Sequence, residues 1–305
     1  MKNILLLSIV FLLGWQLSYA QQEPHYTQNQ FNSNLLLNPA YAGSGPCASV
    51  GLRYRNQWTG FAGAPTTFSA IGDTRIASDR LGVGITSNFD RIGIDKVFTP
   101  DINIAYHLPV NDKGKFSMGF KAGASFMTSD FNSLIGVNTA DPLYTGSQKA
   151  TIPFVGLGVL YYTELTYVGF SVPRIISFEK SSARSKISKP HYYLYGGHRF
   201  VFENGLDLRP AIMARYEHEA PLQFDFAADL WYQEFIGFGL SYRTGDAIDF
   251  MLKGKIKKIY LGYSYDMTVS GLSNFNNGTH ELFIGYEFCG GGTKNYPRTD
   301  NIRHF

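Results

Sequence analysis

Between Leu222 and Trp231 the chain reads LQFDFAADLW, with Leu222, Phe224, Phe226, Ala228 and Leu230 apolar and Gln223, Asp225 and Asp229 set between them. A strand sends successive side chains to opposite faces, so this segment is a strand with one oily and one acidic face. Two folds accept such a strand. In a soluble sandwich the apolar face is the core and the charged face meets water. In a transmembrane barrel the apolar face meets lipid and the charged face lines the interior.

The same alternation returns along most of the chain, punctuated by turn residues, and predicts about 14 strands. Their spans are 47–57, 66–75, 81–89, 97–108, 115–126, 151–162, 166–172, 191–202, 205–216, 222–232, 234–243, 246–255, 258–266 and 279–288. Connections after even-numbered strands are short, as in ASDR, PVNDKGK, TEL, ENG and KIK. The long ones, 128–150, 173–190 and 268–278, all follow odd-numbered strands, so they fall on one rim. A sandwich has no reason to sort loops by parity, whereas an outer-membrane barrel has short periplasmic turns and longer outer loops.

The fold class expected is therefore all-β, a transmembrane antiparallel barrel with an N-terminal plug or periplasmic segment. Ile248, Phe250 and Leu252 would face lipid, and Asp249, Met251 and Lys253 the lumen. Aromatic residues make up 15% of the chain and crowd the strand ends, at Tyr161-Tyr162, Tyr192-Tyr193, Trp231-Tyr232, Tyr263, Tyr265, Tyr286 and Phe288, which reads as interfacial girdles. No segment approaches the roughly 18 apolar residues of a spanning helix. A net charge of +3, evenly spread, gives no nucleic-acid surface.

The opening MKNILLLSIVFLLGWQLSYA has an early lysine, a short apolar run and small residues before a cleavage point, as a secretory signal peptide does. The domains expected are a signal peptide (1–20), an N-terminal plug or periplasmic segment (21–46), an outer-membrane barrel (47–289) and a periplasmic tail (290–305).

The inward face carries Arg53, Arg55, Asp101, Lys121, Asp207, Arg209, Arg215, Asp225, Asp229, Arg243, Asp249, Lys253, Lys255, Glu281 and Glu287. A selective pore shows rings of one sign; mixed signs predict pairing across a filled lumen. If EHEAP closes a hairpin with Arg215 opposite Gln223, the register sets Arg209 opposite Asp229. Inward glycines, among them Gly82, Gly84, Gly119 and Gly158, mark close approach by another backbone. The segment before the first strand, with Leu35, Leu36 and Leu37 to bury, is the candidate to make it.

Cys47 opens the first strand and Cys289 follows the last, and an even strand number makes these strands neighbours. A disulfide across the barrel seam is the expectation, in a compartment that permits one.

Signs of catalysis are poor. There is no G-x-S-x-G elbow, zinc helix or phosphate loop, and the seven histidines lack ligand spacing. His218, Glu219 and Asp246 could meet on the outer rim, but nothing marks a nucleophile and base. No enzyme, cofactor or metal is expected.

LLLNPAYAGSG, followed by RYRNQWTGFAGAPTTFSAIGD, resembles the PorP/SprF family of type IX secretion system membrane proteins. RLGVGITSNFDRIG, TIPFVGLGVLYYTELTYVGFSVP and YLGYSYDMTVSGLSNFNNGTHELFIGYEF extend the likeness over almost all of the mature chain. The more specific residues are Asn38, Pro39, Ala40, Tyr41, Ala42 and Gly43, then Gln57-Trp58 and Ala64-Pro65. The resemblance implies an outer-membrane barrel that serves export or surface attachment of large cargo, such as gliding adhesins, beside the main translocon. It brings no catalytic residues. The tail CGGGTKNYPRTDNIRHF departs from the family by continuing past the last strand.

The partners expected are a secreted cargo or adhesin C-terminal domain, other type IX secretion components and the lipid bilayer. Contact is expected through the long outer loops, where Arg174, Lys180, Arg184, Lys186 and Lys189 suit an acidic surface. The alternative function is a transport channel for a small or hydrophobic molecule.

Overall fold

A computed structural model describes residues 34–76, 80–111, 113–133, 146–177, 190–218 and 220–289. The signal peptide expected at 1–20, the stretch 21–33, the tail from 290, and Lys180, Arg184, Lys186 and Lys189 lie outside the described residues.

The strands are β1 (Ala48–Asn56), β2 (Thr66–Ile76), β3 (Leu81–Ile92), β4 (Asp95–Pro109), β5 (Lys115–Asp130), β6 (Ser147–Tyr162), β7 (Thr166–Ser177), β8 (His191–His198), β9 (Phe200–Val201), β10 (Leu206–Glu217), β11 (Gln223–Tyr232), β12 (Ile236–Arg243), β13 (Ala247–Ile256), β14 (Ile259–Thr268) and β15 (Thr279–Phe288). Each pairs antiparallel with its neighbour, and β15 pairs with β1, so the sheet closes on itself. The segments β8 and β9 hold one register against β10, with Ala211 opposite Gly197 and Leu208 opposite Phe200. They are one wall strand interrupted at Arg199, and the barrel has 14 strands.

The packing is inverted relative to a soluble protein. On β11, Phe226 is 48% and Leu230 45% exposed, while Asp225 is 4% and Asp229 1% exposed. Exposed Ile85, Ile102, Leu157, Leu194, Phe238 and Ile284 continue the apolar outer belt around the wall. Lipid replaces water outside, so the apolar face points outward and the charged face is enclosed.

Strands β3 to β7 run past their expected outer ends. β5 and β6 have 16 residues each, against 8 in β12. The added residues carry no alternation, as in Thr128-Ser129-Asp130, because neither lipid nor core selects one face beyond the bilayer. The connections expected at 128–150 and 173–190 accordingly narrow to 131–146 and 178–190. In β7 a bulge sets residues 173–175 against Gly156 alone, and the Pro173 carbonyl occupies the space a Cβ at Gly156 would need.

The aromatic doublets also divide. Tyr192 and Tyr232 are exposed on the wall, whereas Tyr162, Tyr193 and Trp231 are buried in the lumen. Consecutive strand residues point to opposite faces, so only one of each pair can join a girdle.

Candidate functional site

The lumen holds the segment that precedes β1. Asn34–Leu37 forms one helical turn, α1, and Pro39–Tyr41 a 3-10 turn. Asn38 caps the second turn, its Oδ1 accepting from the Ala40 amide at 2.8 Å, and Pro39 opens it, where a missing N–H costs nothing. Leu35, Leu36, Leu37, Ala40, Tyr41 and Ala42 are buried in one cluster with Ile71, Leu160, Tyr167, Tyr195 and Met213. Burying each leucine contributes about 2 kcal/mol.

Wall side chains satisfy the backbone of this plug. Lys121 Nζ donates to the Leu36 carbonyl at 3.0 Å, Ser117 Oγ to Ala40 at 2.8 Å, and Arg75 Nε to Gly43 at 2.9 Å. His107 Nε2 lies 2.8 Å from the Ala42 carbonyl, and its Nδ1 lies 3.0 Å from the Tyr162 hydroxyl. A carbonyl only accepts, so Nε2 carries the proton. In the other direction, the Gly43 amide donates to Asp73 Oδ2 at 2.8 Å, and Asn38 Nδ2 donates to the Val159 carbonyl at 3.0 Å and the Tyr195 hydroxyl at 2.8 Å. Unbonded polar backbone in such an enclosed place would cost more than the bonds contribute.

Glycines make the close approach possible. A Cβ at Gly82 would overlap the Ala42 carbonyl, one at Gly119 the Pro39–Ala40 peptide, and one at Gly158 the Asn38 side chain. Gly43, at φ +65°, is pressed in turn against Gly82. Of the other inward glycines, Gly84 lies against the Leu35 side chain of the plug, Gly51 and Gly285 lie under the Phe283 ring, and Gly237 lies under Trp231.

Opposite the plug the lumen is filled by ion pairs. In the outer half Arg215 meets Asp225 at 3.3 Å, and Arg243 meets Asp225 at 2.8 Å and Asp246 at 3.2 Å. Asp249 accepts from Ser241 Oγ at 2.9 Å. Arg55 bridges Asp266 at 2.6 Å and Glu281 at 3.2 Å. In the periplasmic half Lys253 meets Asp229 at 2.6 Å, and Arg209 meets Asp207, which Arg199 also engages. Lys121 lies 3.5 Å from Asp101, and Arg53 donates to Ser69 Oγ at 3.3 Å.

Arg209 stands directly opposite Asp229 in the register. Its Nη2 nevertheless bonds Asp207, and Asp229 leans across Gly239 toward Lys253. Arg174 is not in an outer loop but within β7, its guanidinium 4.8 Å from the centre of the buried Phe154 ring. The bulge beside Gly156 sets this side chain inward. Asp266, Asp73, Arg75 and His107 were missed as site residues. Asp266 continues the inward series Tyr260, Gly262, Ser264, so its alternation could have found it. Asp246 is held by Arg243, and Glu219 lies outside the described residues. Among the described residues no cluster could hold a metal ion.

At the seam Ala48 pairs with Phe288, and the adjoining Cys47 and Cys289 are disulfide-bonded with Cα atoms 4.9 Å apart.

Comparison with curated proteins finds no match. Among solved structures, the CymD monoaromatic hydrocarbon channel is similar with a TM-score of 0.52 at 12% identity, over 86% of this chain and 94% of that one. The Ralstonia pickettii toluene transporter TbuX gives 0.49 at 12% identity, over 82% and 91%. At this identity the likeness to CymD is one of fold, an outer-membrane barrel. The profile described as Type IX secretion system membrane protein PorP/SprF matches residues 18–286, and the chain belongs to that family.

Proposed function

We propose that this protein is a non-enzymatic outer-membrane barrel that binds an exported cargo protein through its C-terminal domain. It thereby supports the cargo's export or attachment at the cell surface, beside other type IX secretion components. The observation that supports this reading is the filled lumen. A plug bonded at Leu36, Ala40, Ala42 and Gly43, facing a wall of paired charges, leaves the two rims as the surfaces that can work. Lys180, Arg184, Lys186 and Lys189 in the outer connection 178–190 suit an acidic partner. No cofactor and no nucleic acid enter the reading.

The second reading, a channel for a small or hydrophobic molecule, draws on the likeness to the CymD hydrocarbon channel. Mixed charges in ion pairs argue against it, since passage of an apolar molecule needs a continuous apolar path.

The test is cross-linking in native membranes, purification through a tag on the barrel, and identification of the bound proteins, with conductance of the purified barrel measured in planar bilayers. An exported protein retained by its C-terminal domain, with no stable conductance, is expected. A steady open channel with no retained exported protein would replace the first reading by the second.

A further inference from the structure

The segment Trp58-Thr59-Gly60-Phe61-Ala62-Gly63-Ala64 joins β1 to β2 at the outer rim. It folds as two turns that share Phe61: the Phe61 amide donates to the Trp58 carbonyl and the Ala64 amide to the Phe61 carbonyl, each at 3.1 Å. The third position of each turn is a glycine in the left-handed region, φ +89° at Gly60 and +77° at Gly63, as such turns require. Trp58 itself has φ 49°, costly for a bulky residue and stable only where neighbours impose it.

Those neighbours are two other hairpins. The Trp58 amide donates to Thr279 Oγ1 at 3.1 Å, and the Thr59 amide to the Gly278 carbonyl at 2.8 Å. The Asn277 amide returns to the Thr59 carbonyl at 2.8 Å, and the Gly93 amide reaches the Gly63 carbonyl at 2.9 Å. The β1–β2, β3–β4 and β14–β15 connections are thus bonded into one platform.

The platform is apolar where an outer loop would ordinarily be polar. Phe61 is 49% and Phe275 66% exposed, with Leu272 and Val269 exposed on the same β14–β15 connection as Phe275. A cavity of about 280 Å³ opens beside it, lined among others by Trp58, Gly60, Phe61, Gly63, Arg91 and Gly93. Arg91 is the one charged residue of that lining. It is exposed and has no ion pair among the described residues. A fixed surface loses little freedom on binding, and an arginine held for no internal carboxylate suits an external one.

We propose that this platform is the docking surface for the exported partner. Phe61 and Phe275 are its apolar anchors, and Arg91 receives an aspartate or glutamate side chain that projects from an apolar patch on the partner's folded surface. A folded surface fits better than a chain end, because a chain end would fill the cavity and leave Phe275 and Leu272 uncovered. The proposal rests on the reading that the protein holds an exported partner.

The test uses the full-length barrel in nanodiscs and the partner C-terminal domain identified by native cross-linking, prepared with a free and with an amidated C terminus. Phe61→Ala, Phe275→Ala and Arg91→Gln are each expected to weaken binding about tenfold or more, as centrally placed aromatic and arginine contacts do. Arg91→Glu should bind weaker still and recover with a partner variant in which one acidic residue is made basic. Amidation should change nothing. Heat-modifiable gel mobility confirms that each variant is folded. Binding to the wild type with unchanged affinity for all three variants overturns the platform and leaves the functional reading standing. A loss on amidation replaces the side-chain carboxylate by a chain end and overturns that assignment. Weaker anchoring in the bilayer with unchanged partner affinity assigns the aromatics to lipid and overturns docking. No binding to the wild type overturns both the reading and the platform.

Discussion

Asn38 Nδ2 lies 2.8 Å from the Tyr195 hydroxyl, and this contact joins the turn of the plug to a wall strand 157 residues away in sequence. The same side chain caps its own 3-10 turn through Oδ1. One asparagine therefore shapes the plug and fastens it.

Asn38→Ala should cost about 1 kcal/mol for the lost cap. Each wall bond lost with it adds a similar amount. The expected outcome is faster proteolysis within 21–46 while heat-modifiable mobility of the barrel is retained. A segment that stays as protected as in the wild type would show that the leucines alone hold it.

Gly119→Val should expel the plug more completely, because its Cβ would overlap the Pro39–Ala40 peptide, which is backbone and cannot swing away. Planar bilayer recordings should then show conductance that the wild type lacks. A closed Gly119→Val barrel would mean that the ion pairs alone seal the lumen.

Arg55→Met leaves Asp266 and Glu281 facing each other without their shared cation. Removing one member of a buried pair costs on the order of 3–5 kcal/mol. Adding Asp266→Asn should recover part of that loss. Urea unfolding in lipid vesicles measures both.

A double-mutant cycle should show stronger coupling for Lys253 with Asp229 than for Arg209 with Asp229, although the second pair is the one in direct register. Equal coupling would place both cations on the same carboxylate.

Cys47→Ser should destabilise the barrel by less than the roughly 5 kcal/mol that loop closure assigns to a long ring. The β1–β15 hydrogen bonds already close the same ring. Unfolding with and without reductant measures the difference, and non-reducing mass spectrometry of the wild type should find no free thiol.

The sequence by itself determined which way each strand faces, because alternation is a local property that lipid and lumen read directly. Asp225 and Asp229 inside, Phe226 and Leu230 outside, and Arg209 opposite Asp229 all follow from a period of two and one hairpin register. An even strand count likewise brought Cys47 beside Cys289. Only the tertiary structure decided which groups meet within the lumen. Asp229 leans over Gly239 to meet Lys253 across an intervening strand, and Arg209 turns to Asp207. The bulge at Gly156 sends Arg174 inward, where the alternation read from sequence had placed it in a loop. Alternation could place Lys121 on the inward face, but that His107, Ser117 and Lys121 bond the plug was not legible, since each partner is set by where a distant carbonyl comes to rest. Side-chain direction is written residue by residue; the pairing of side chains across a closed barrel depends on stagger, bulges and empty space that arise only when the ring is complete.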